Sequence, residues 1–243
     1  MREELNAVLS ERRRIQVEYQ QRANEIKSDL YAPWQPAQVF LTTVRKAVAA
    51  RMLKEAQVFP RIDHRCLEVG CGTGGWLADL ISWGVREADL HGIDINALRI
   101  SRAKEILPAA DLRIGDATEL PWDSGTFNLI ISSTLFTSVL DPGVRRLIAR
   151  EIVRVLAPGG ALLWYDFAFN NPKNRHVRGI SSSEVRKLFP QLAGKIRSVT
   201  LAPPLARLIV PASWTLASLL EAVPFLRTHL LAALIKSVSG GEH

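Results

Sequence analysis

Glu68, Gly70, Gly72 and Gly74 occupy alternate positions in Glu68-Val-Gly-Cys-Gly-Thr-Gly-Gly75, where an apolar run stops at an acid and breaks into a glycine loop. Glycines at this density let the backbone turn through conformations costly for other residues and let a ligand approach the main chain. A nucleotide-like ligand is the expected occupant. Gly70, Gly72 and Gly75 also satisfy Gly-x-Gly-x-x-Gly, in which a pyrophosphate rests on a helix N-terminus, so the loop by itself leaves two cofactor classes open. Two more acids, Asp94 and Asp116, stand where later apolar runs end, and His176 and His229 are the candidate bases.

These residues need a sheet to hold them. From Arg61 onward, apolar runs alternate with helical periodicity, the pattern of an α/β domain with a largely parallel sheet. The expected strands are Arg65 to Val69, Asp89 to Ile93, Asp111 to Ile114, Phe127 to Ser132, Ala161 to Tyr165, Ile196 to Leu201 and His229 to Ile235. Between them, Leu77, Leu80 and Ile81, then Ala97, Ile100, Ala103 and Leu107, then Ile148, Ile152 and Val155 mark helix faces. Asp141-Pro142 supplies an N-cap and a first-turn proline, and Pro158-Gly159-Gly160 an end to that helix. Ser181 to Glu184 reads as a capping box, and a further helix is expected near Ala212. Ligands in such sheets bind outside the carboxyl ends of the strands, so Glu68, Asp94 and Asp116 are expected to face one crevice. Glu68 would repel a pyrophosphate and attract a cationic ligand.

The chain has 243 residues, suited to one full core with an extension: residues 1–58 read as a helical extension and 59–243 as the main domain. The 31 Lys and Arg against 24 Asp and Glu, a net charge of +7, suit anionic partners such as nucleic acid, phosphorylated sugars or lipid head groups. Both cysteines, Cys66 and Cys71, lie by the glycine loop without disulfide or metal spacing, and no metal site is expected. A cytoplasmic location is expected, because no apolar leader follows Met1. Leu216 to Ile235 is apolar but interrupted by Glu221, Pro224, Arg227 and His229, which points to core rather than a membrane span and leaves a peripheral membrane contact open.

The motifs Glu68-Val-Gly-Cys-Gly-Thr-Gly, Ile93-Asp94, Gly115-Asp116-Ala and Val155-Leu-Ala-Pro-Gly-Gly160 resemble class I S-adenosylmethionine-dependent methyltransferases, in the same order, over roughly Ile62 to Phe167. The resemblance implies a Rossmann-like, seven-stranded, mostly parallel sheet with helices on both faces and a reversed last strand. It also implies S-adenosylmethionine as cofactor, with Glu68, Gly70, Cys71, Gly72 and Gly74 near its methionine portion. Asp94 and Ile95 are then expected at the ribose, Gly115, Asp116 and Ala117 at the adenine, and Ser132 at the end of the fourth strand.

The fourth strand leads into Ser132-Ser-Thr-Leu-Phe136 rather than an Asn/Asp-Pro-Pro-aromatic element, which disfavours methylation of a planar amino group. No cysteine stands near the fourth or fifth strand to attack a pyrimidine. What remains resembles the small-molecule, type 11 group. The expected reaction is methyl transfer to a small-molecule acceptor, chiefly oxygen of a glycan, lipid or natural-product intermediate. A positioned base would assist a hydroxyl acceptor, with His229 and His176 as candidates and Tyr19, Trp34, Asp166 and Arg175 as the substrate shell. The N-terminal helices read as a lid over the cofactor. The alternatives are an RNA methyltransferase using the basic surface, a nicotinamide-dependent oxidoreductase, and a non-catalytic adenosyl-binding module.

Overall fold

The computed structural model describes residues 2–25, 32–170 and 176–238. Two helices, α1 (Arg2–Glu25) and α2 (Pro36–Glu55), precede the sheet. Its strands are β1 (Cys66–Val69), β2 (Leu90–Asp94), β3 (Asp111–Ile114), β4 (Phe127–Ser133), β5 (Leu156–Phe167), β6 (Leu192–Leu201) and β7 (Arg227–Lys236), in the order β3-β2-β1-β4-β5-β7-β6. β1 to β5 pair in parallel, and β7 runs antiparallel to both β5 and β6. This is the expected Rossmann-like sheet with its reversed last strand. The chain steps outward from β1 to β3 and then returns to β4, so the direction of winding reverses between β1 and β4, where such sheets form their ligand crevice.

Strand alternation divides the core. Leu67, Val69, Ile130, Leu162 and Trp164 face α5 (Pro142–Val155) and α6 (Ser182–Leu188), with Val8 and Ile15 of α1 packed on that side. Cys66, Leu129, Ile131, Leu163 and Tyr165 face α3 (Gly75–Ser82), α4 (Ala97–Ile106) and α2. The central strands are therefore apolar on both sides, which is why they read as continuous hydrophobic runs. A third cluster joins Phe40 of α2 to α7 (Pro203–Ile209) and α8 (Trp214–Glu221). No helix among the described residues is long and apolar enough to cross a membrane.

Three expectations are corrected and one helix is added. Pro158-Gly159-Gly160 lies within β5: pairing jumps from Phe127↔Leu156 to Leu129↔Ala161, and Gly159 takes φ 74° in the bulge between them. The helix expected to begin near Ala212 is α8, and an unexpected helix, α7, precedes it, the two being separated at Pro211, which lies in a turn. Ile81 is 39% exposed while Leu77 and Leu80 are buried. Ser181 does cap α6, accepting the Glu184 N–H at 3.2 Å, but the Glu184 carboxylate does not reach back in a capping box. It accepts Arg145 Nη1 at 2.7 Å instead, partnering a guanidinium that α5 buries almost completely.

Candidate functional site

A cleft opens at the carboxyl ends of the parallel strands. Gly70 lines it from the glycine loop, Asp94 and Ile95 from the end of β2, and Gly115, Asp116 and Ala117 from the end of β3. Ser133, Thr134 and Leu135 close it after β4, and Val8, Glu11, Arg12 and Ile15 of α1 cover it. Both oxygens of Asp94 hold backbone: Oδ2 accepts Gly72 N–H at 2.9 Å and Oδ1 accepts Asn96 N–H at 2.8 Å. Asp116 Oδ1 accepts Thr118 N–H at 2.9 Å and the Thr118 hydroxyl at 2.8 Å. Each carboxylate oxygen can accept two hydrogen bonds, so both side chains keep capacity for a ligand.

An adenosyl cofactor fits these residues. Gly70 takes φ 75°, and a Cβ there would stand 3.1 Å from Leu135 Cδ1, so a side chain would intrude where Leu135 meets the cleft. At Gly115 a Cβ would meet Ile93 Cδ1 at 2.7 Å. The walls combine the apolar faces of Ile95, Ala117 and Leu135 with two carboxylates, as a base and a ribose require.

Residues 66–160, the stretch from β1 through the glycines of β5, match the family model described as a methyltransferase domain. Over this stretch the chain is therefore similar to methyltransferase domains. The chain is 32% identical over 126 residues to phthiotriol/phenolphthiotriol dimycocerosates methyltransferase 1 of Mycobacterium ulcerans, covering 51% of this chain and 45% of that protein. It is 28% identical over 164 residues to norajmaline N-methyltransferase of Rauvolfia serpentina, covering 61% and 54%. The chain thus spans about half the length of the curated relatives it matches. In three dimensions it is similar to geranyl diphosphate C-methyltransferase from Streptomyces coelicolor, solved with Mg2+, geranyl diphosphate and S-adenosyl-L-homocysteine. There the TM-score is 0.62, at 14% identity over 88% of this chain and 86% of that one.

Several side chains around the cleft stand apart from the sequence reading. Glu68 does not line the cleft with Asp94 and Asp116: strand alternation turns it under α2, on the face of Cys66. Burial raises its pKa well above the usual carboxylate range, against the pull of Arg45, and its Oε2 has no hydrogen-bond partner. The Arg45 guanidinium lies 4.7 Å from the centre of the Trp76 ring and 5.0 Å from that of Tyr165, so a cationic and aromatic lining faces Glu68 beneath α2. Cys71 is buried, its Sγ 2.9 Å from where a Cβ on Gly92 would be, and burial beside Glu68 pushes its thiol pKa up. Gly72 N–H serves Asp94, and Gly74, at φ 78°, caps α3. Ser132 is buried with its hydroxyl unpartnered, while Ser133, on the opposite strand face, lines the cleft.

The candidate catalytic and substrate residues are dispersed. His229 is buried, stacked on Tyr165 at 4.8 Å between ring centres and set against Phe167 at 3.9 Å, which lowers its pKa to about 3 through burial and then Arg45. Its conjugate acid is then strong, and His229 is not among the residues that line the cleft. His176 pairs with Glu18 of α1 at 2.9 Å, beside Leu9, Arg13 and Val17 and apart from the residues that line the adenosyl cleft. Asp166 is fully buried and cannot line a substrate pocket. It accepts the Thr137 hydroxyl, the Thr137 N–H at 3.1 Å and the Phe167 N–H at 3.1 Å, and burial raises its pKa to about 6 against those hydrogen bonds. Trp34 is 70% exposed just before α2 and outside the cleft. Arg175 and the Tyr19 side chain lie outside the described residues.

Thr134, Leu135 and the particular residues of α1 that cover the cleft, Val8, Glu11, Arg12 and Ile15, escaped the sequence reading. Thr134 takes φ 54°, an uncommon left-handed conformation for a β-branched residue, pinned by its N–H to Tyr165 O at 2.8 Å. Nothing in Ser-Thr-Leu announces that strain. The Glu11–Arg14 pair was visible in principle, since residues three apart share a helix face.

Proposed function

We propose that this domain transfers a methyl group from S-adenosylmethionine to a small-molecule acceptor, at a hydroxyl of a lipid, glycan or natural-product intermediate. The observation that carries the reading is the presence of Asp94 and Asp116 in one cleft with Gly70. Carboxylates suit ribose hydroxyls and an exocyclic amino group, and the Gly72 N–H that a pyrophosphate at the glycine loop would draw on is already donated to Asp94. When bound, the cofactor supplies an electrophilic methyl group on a cationic sulfur.

The chain supplies position and dryness. Val8 and Ile15 of α1 lie against the cleft and would keep water from it. Orientation of an acceptor can contribute up to ~7–11 kcal/mol, more than a general base commonly adds. His229, neutral near pH 7, suits a role as hydrogen-bond partner rather than strong base. The substrate in the Mycobacterium ulcerans relative's name is a diester of a triol, and the hydroxyl this leaves supports oxygen as the acceptor atom.

The test has two stages. Calorimetric titration should detect S-adenosylhomocysteine and not NAD. Incubation with methyl-labelled S-adenosylmethionine and a panel of hydroxylated lipids, glycosides and phenols should then label at least one of them at oxygen. Binding of NAD alone overturns the cofactor reading, and label entering only RNA, nitrogen or carbon acceptors overturns the acceptor reading.

A further inference from the structure

Asp166 and Arg145 are the most deeply buried charged side chains among the described residues, 0% and 1% exposed, and neither lines the cleft. A buried charge is costly unless paired, and an apolar side chain of similar volume often serves stability as well. Both side chains are aimed at one short segment. It runs from Thr134 to Leu140, between β4 and α5, and gives Thr134, Leu135, Ser138 and Val139 to the cleft wall.

Beyond a single turn at Phe136–Ser138, side chains hold this segment's backbone. From the interior, Asp166 accepts the Thr137 N–H at 3.1 Å and the Thr137 hydroxyl, and Arg145 Nε donates to Val139 O at 2.6 Å. From the other side, Arg14 of α1 donates to Ser138 O and Glu11 accepts the Leu140 N–H. The grips therefore alternate along four consecutive residues: Thr137 and Val139 are held from within, Ser138 and Leu140 by the covering helix. Arg145 is fixed in turn by Glu184 at 2.7 Å, and its Nη2 donates to Arg178 O at 3.4 Å. The Arg178 N–H closes the circuit by donating to Thr137 O at 2.9 Å. Bonds to charged groups are short and directional, so such a set fixes a backbone shape that apolar packing would leave loose.

We propose that Asp166 and Arg145 are positioning residues, holding the rim 134–140 in the shape onto which α1 latches and so setting cofactor retention without touching the cofactor. The proposal rests on the adenosyl reading of the cleft. Loosening either interior grip should shift Ser138 O and the Leu140 N–H relative to Arg14 and Glu11, and the cover should then open more readily.

Stopped-flow release of S-adenosylhomocysteine from the full chain tests it. Thr137→Val deletes the hydroxyl that meets Asp166 and should raise the dissociation rate about threefold or more, whereas Thr137→Ser, which restores it, should stay near wild type. Arg145→Met frees Val139 O and should raise the rate by about tenfold. A double variant separates positioning from simple stabilisation. In a Glu11→Ala background the latch is already broken, so Thr137→Val should speed release by less than about twofold. Residues that only stabilise the fold would lower the melting temperature and leave release at the wild-type rate, or their effect would multiply with that of Glu11→Ala. Either result overturns the proposal. If Arg145→Met does not fold, Thr137→Val and its double variant decide. Wild-type protein that binds no S-adenosylhomocysteine removes the adenosyl reading and the clamp with it, whereas binding with unchanged release in the Thr137→Val variant overturns the clamp alone.

Discussion

Asp94 ties the glycine loop to the end of β2 by accepting the Gly72 N–H at 2.9 Å, and through Asp94 the loop and the cleft share one carboxylate. Its other oxygen accepts Asn96 N–H ahead of α4, so one side chain sets the backbone on both sides of the crevice. Its remaining acceptor capacity is what the proposed function assigns to ribose.

Replacing Asp94 by Ala should therefore weaken S-adenosylhomocysteine binding by about tenfold or more, from loss of acceptors worth ~1.5–3 kcal/mol when charged. Asp94→Asn keeps one acceptor oxygen and sets an amide donor against a backbone N–H, so it should lie between wild type and Ala. Calorimetry measures the affinity and thermal melting the fold. An unchanged affinity in the Ala variant would remove Asp94 from the site.

Gly70→Ala tests the cradle from the backbone side. The residue stands at φ 75°, where a Cβ costs about 1 kcal/mol or more, and that Cβ would press on Leu135 at 3.1 Å. Leu135 lines the cleft, so its displacement should reduce cofactor affinity more than it reduces stability. Equal, small losses in both would mean that the loop only turns the chain.

The fold was legible where one element alone decides it. β1 to β4 fall within a residue or two of their predicted bounds, because strands buried on both faces leave an apolar run ended by a turn. β6 begins four residues before its expected start, because Leu192 to Lys195 is largely exposed and lacks that run. The site was less legible. Asp94, Gly115 and Asp116 follow from strand ends, but the direction of Glu68 and the difference between Ser132 and Ser133 depend on strand parity. The burial of His229 and Asp166 depends on rings and a loop that arrive from elsewhere in the chain.

These two buried groups should give stability opposite pH dependences. His229 titrates near 3 in the folded protein against an ordinary 6.5, so as pH falls below 6.5 the unfolded chain takes a proton first and stability drops. Asp166 titrates near 6 against 3.8, so the folded protein takes the proton first, and that stabilisation is full below about 3.8 and lost as pH rises through 6. In urea unfolding between pH 4.5 and 6.5, the deficit of His229→Gln relative to wild type should shrink on acidification. The deficit of Asp166→Asn should grow. Deficits that move in the same direction would contradict one of the two assignments.

Glu11 fastens α1 over the cleft. Its carboxylate accepts Arg14 Nε at 3.0 Å, Arg14 Nη2 at 2.8 Å and the Leu140 N–H, while Arg14 also donates to Ser138 O. Burial works to raise the Glu11 pKa, but these partners outweigh it and hold the carboxyl below its ordinary value, so it is charged at neutral pH. Ser138 and Val139 line the same cleft as Val8 and Ile15, so this anchor joins the cover to the rim. A covering helix must open for the cofactor to leave, and breaking charge-assisted bonds of ~1.5–3 kcal/mol should make opening easier. Glu11→Ala should raise the dissociation rate of S-adenosylhomocysteine by about tenfold or more in stopped-flow measurements. Glu11→Gln, which can still accept Leu140 N–H, should raise it less. Melting temperature should change little, because α1 packs on α5 at the periphery while the sheet and its two cores are untouched. If both variants release the cofactor at the wild-type rate, α1 does not gate the cleft.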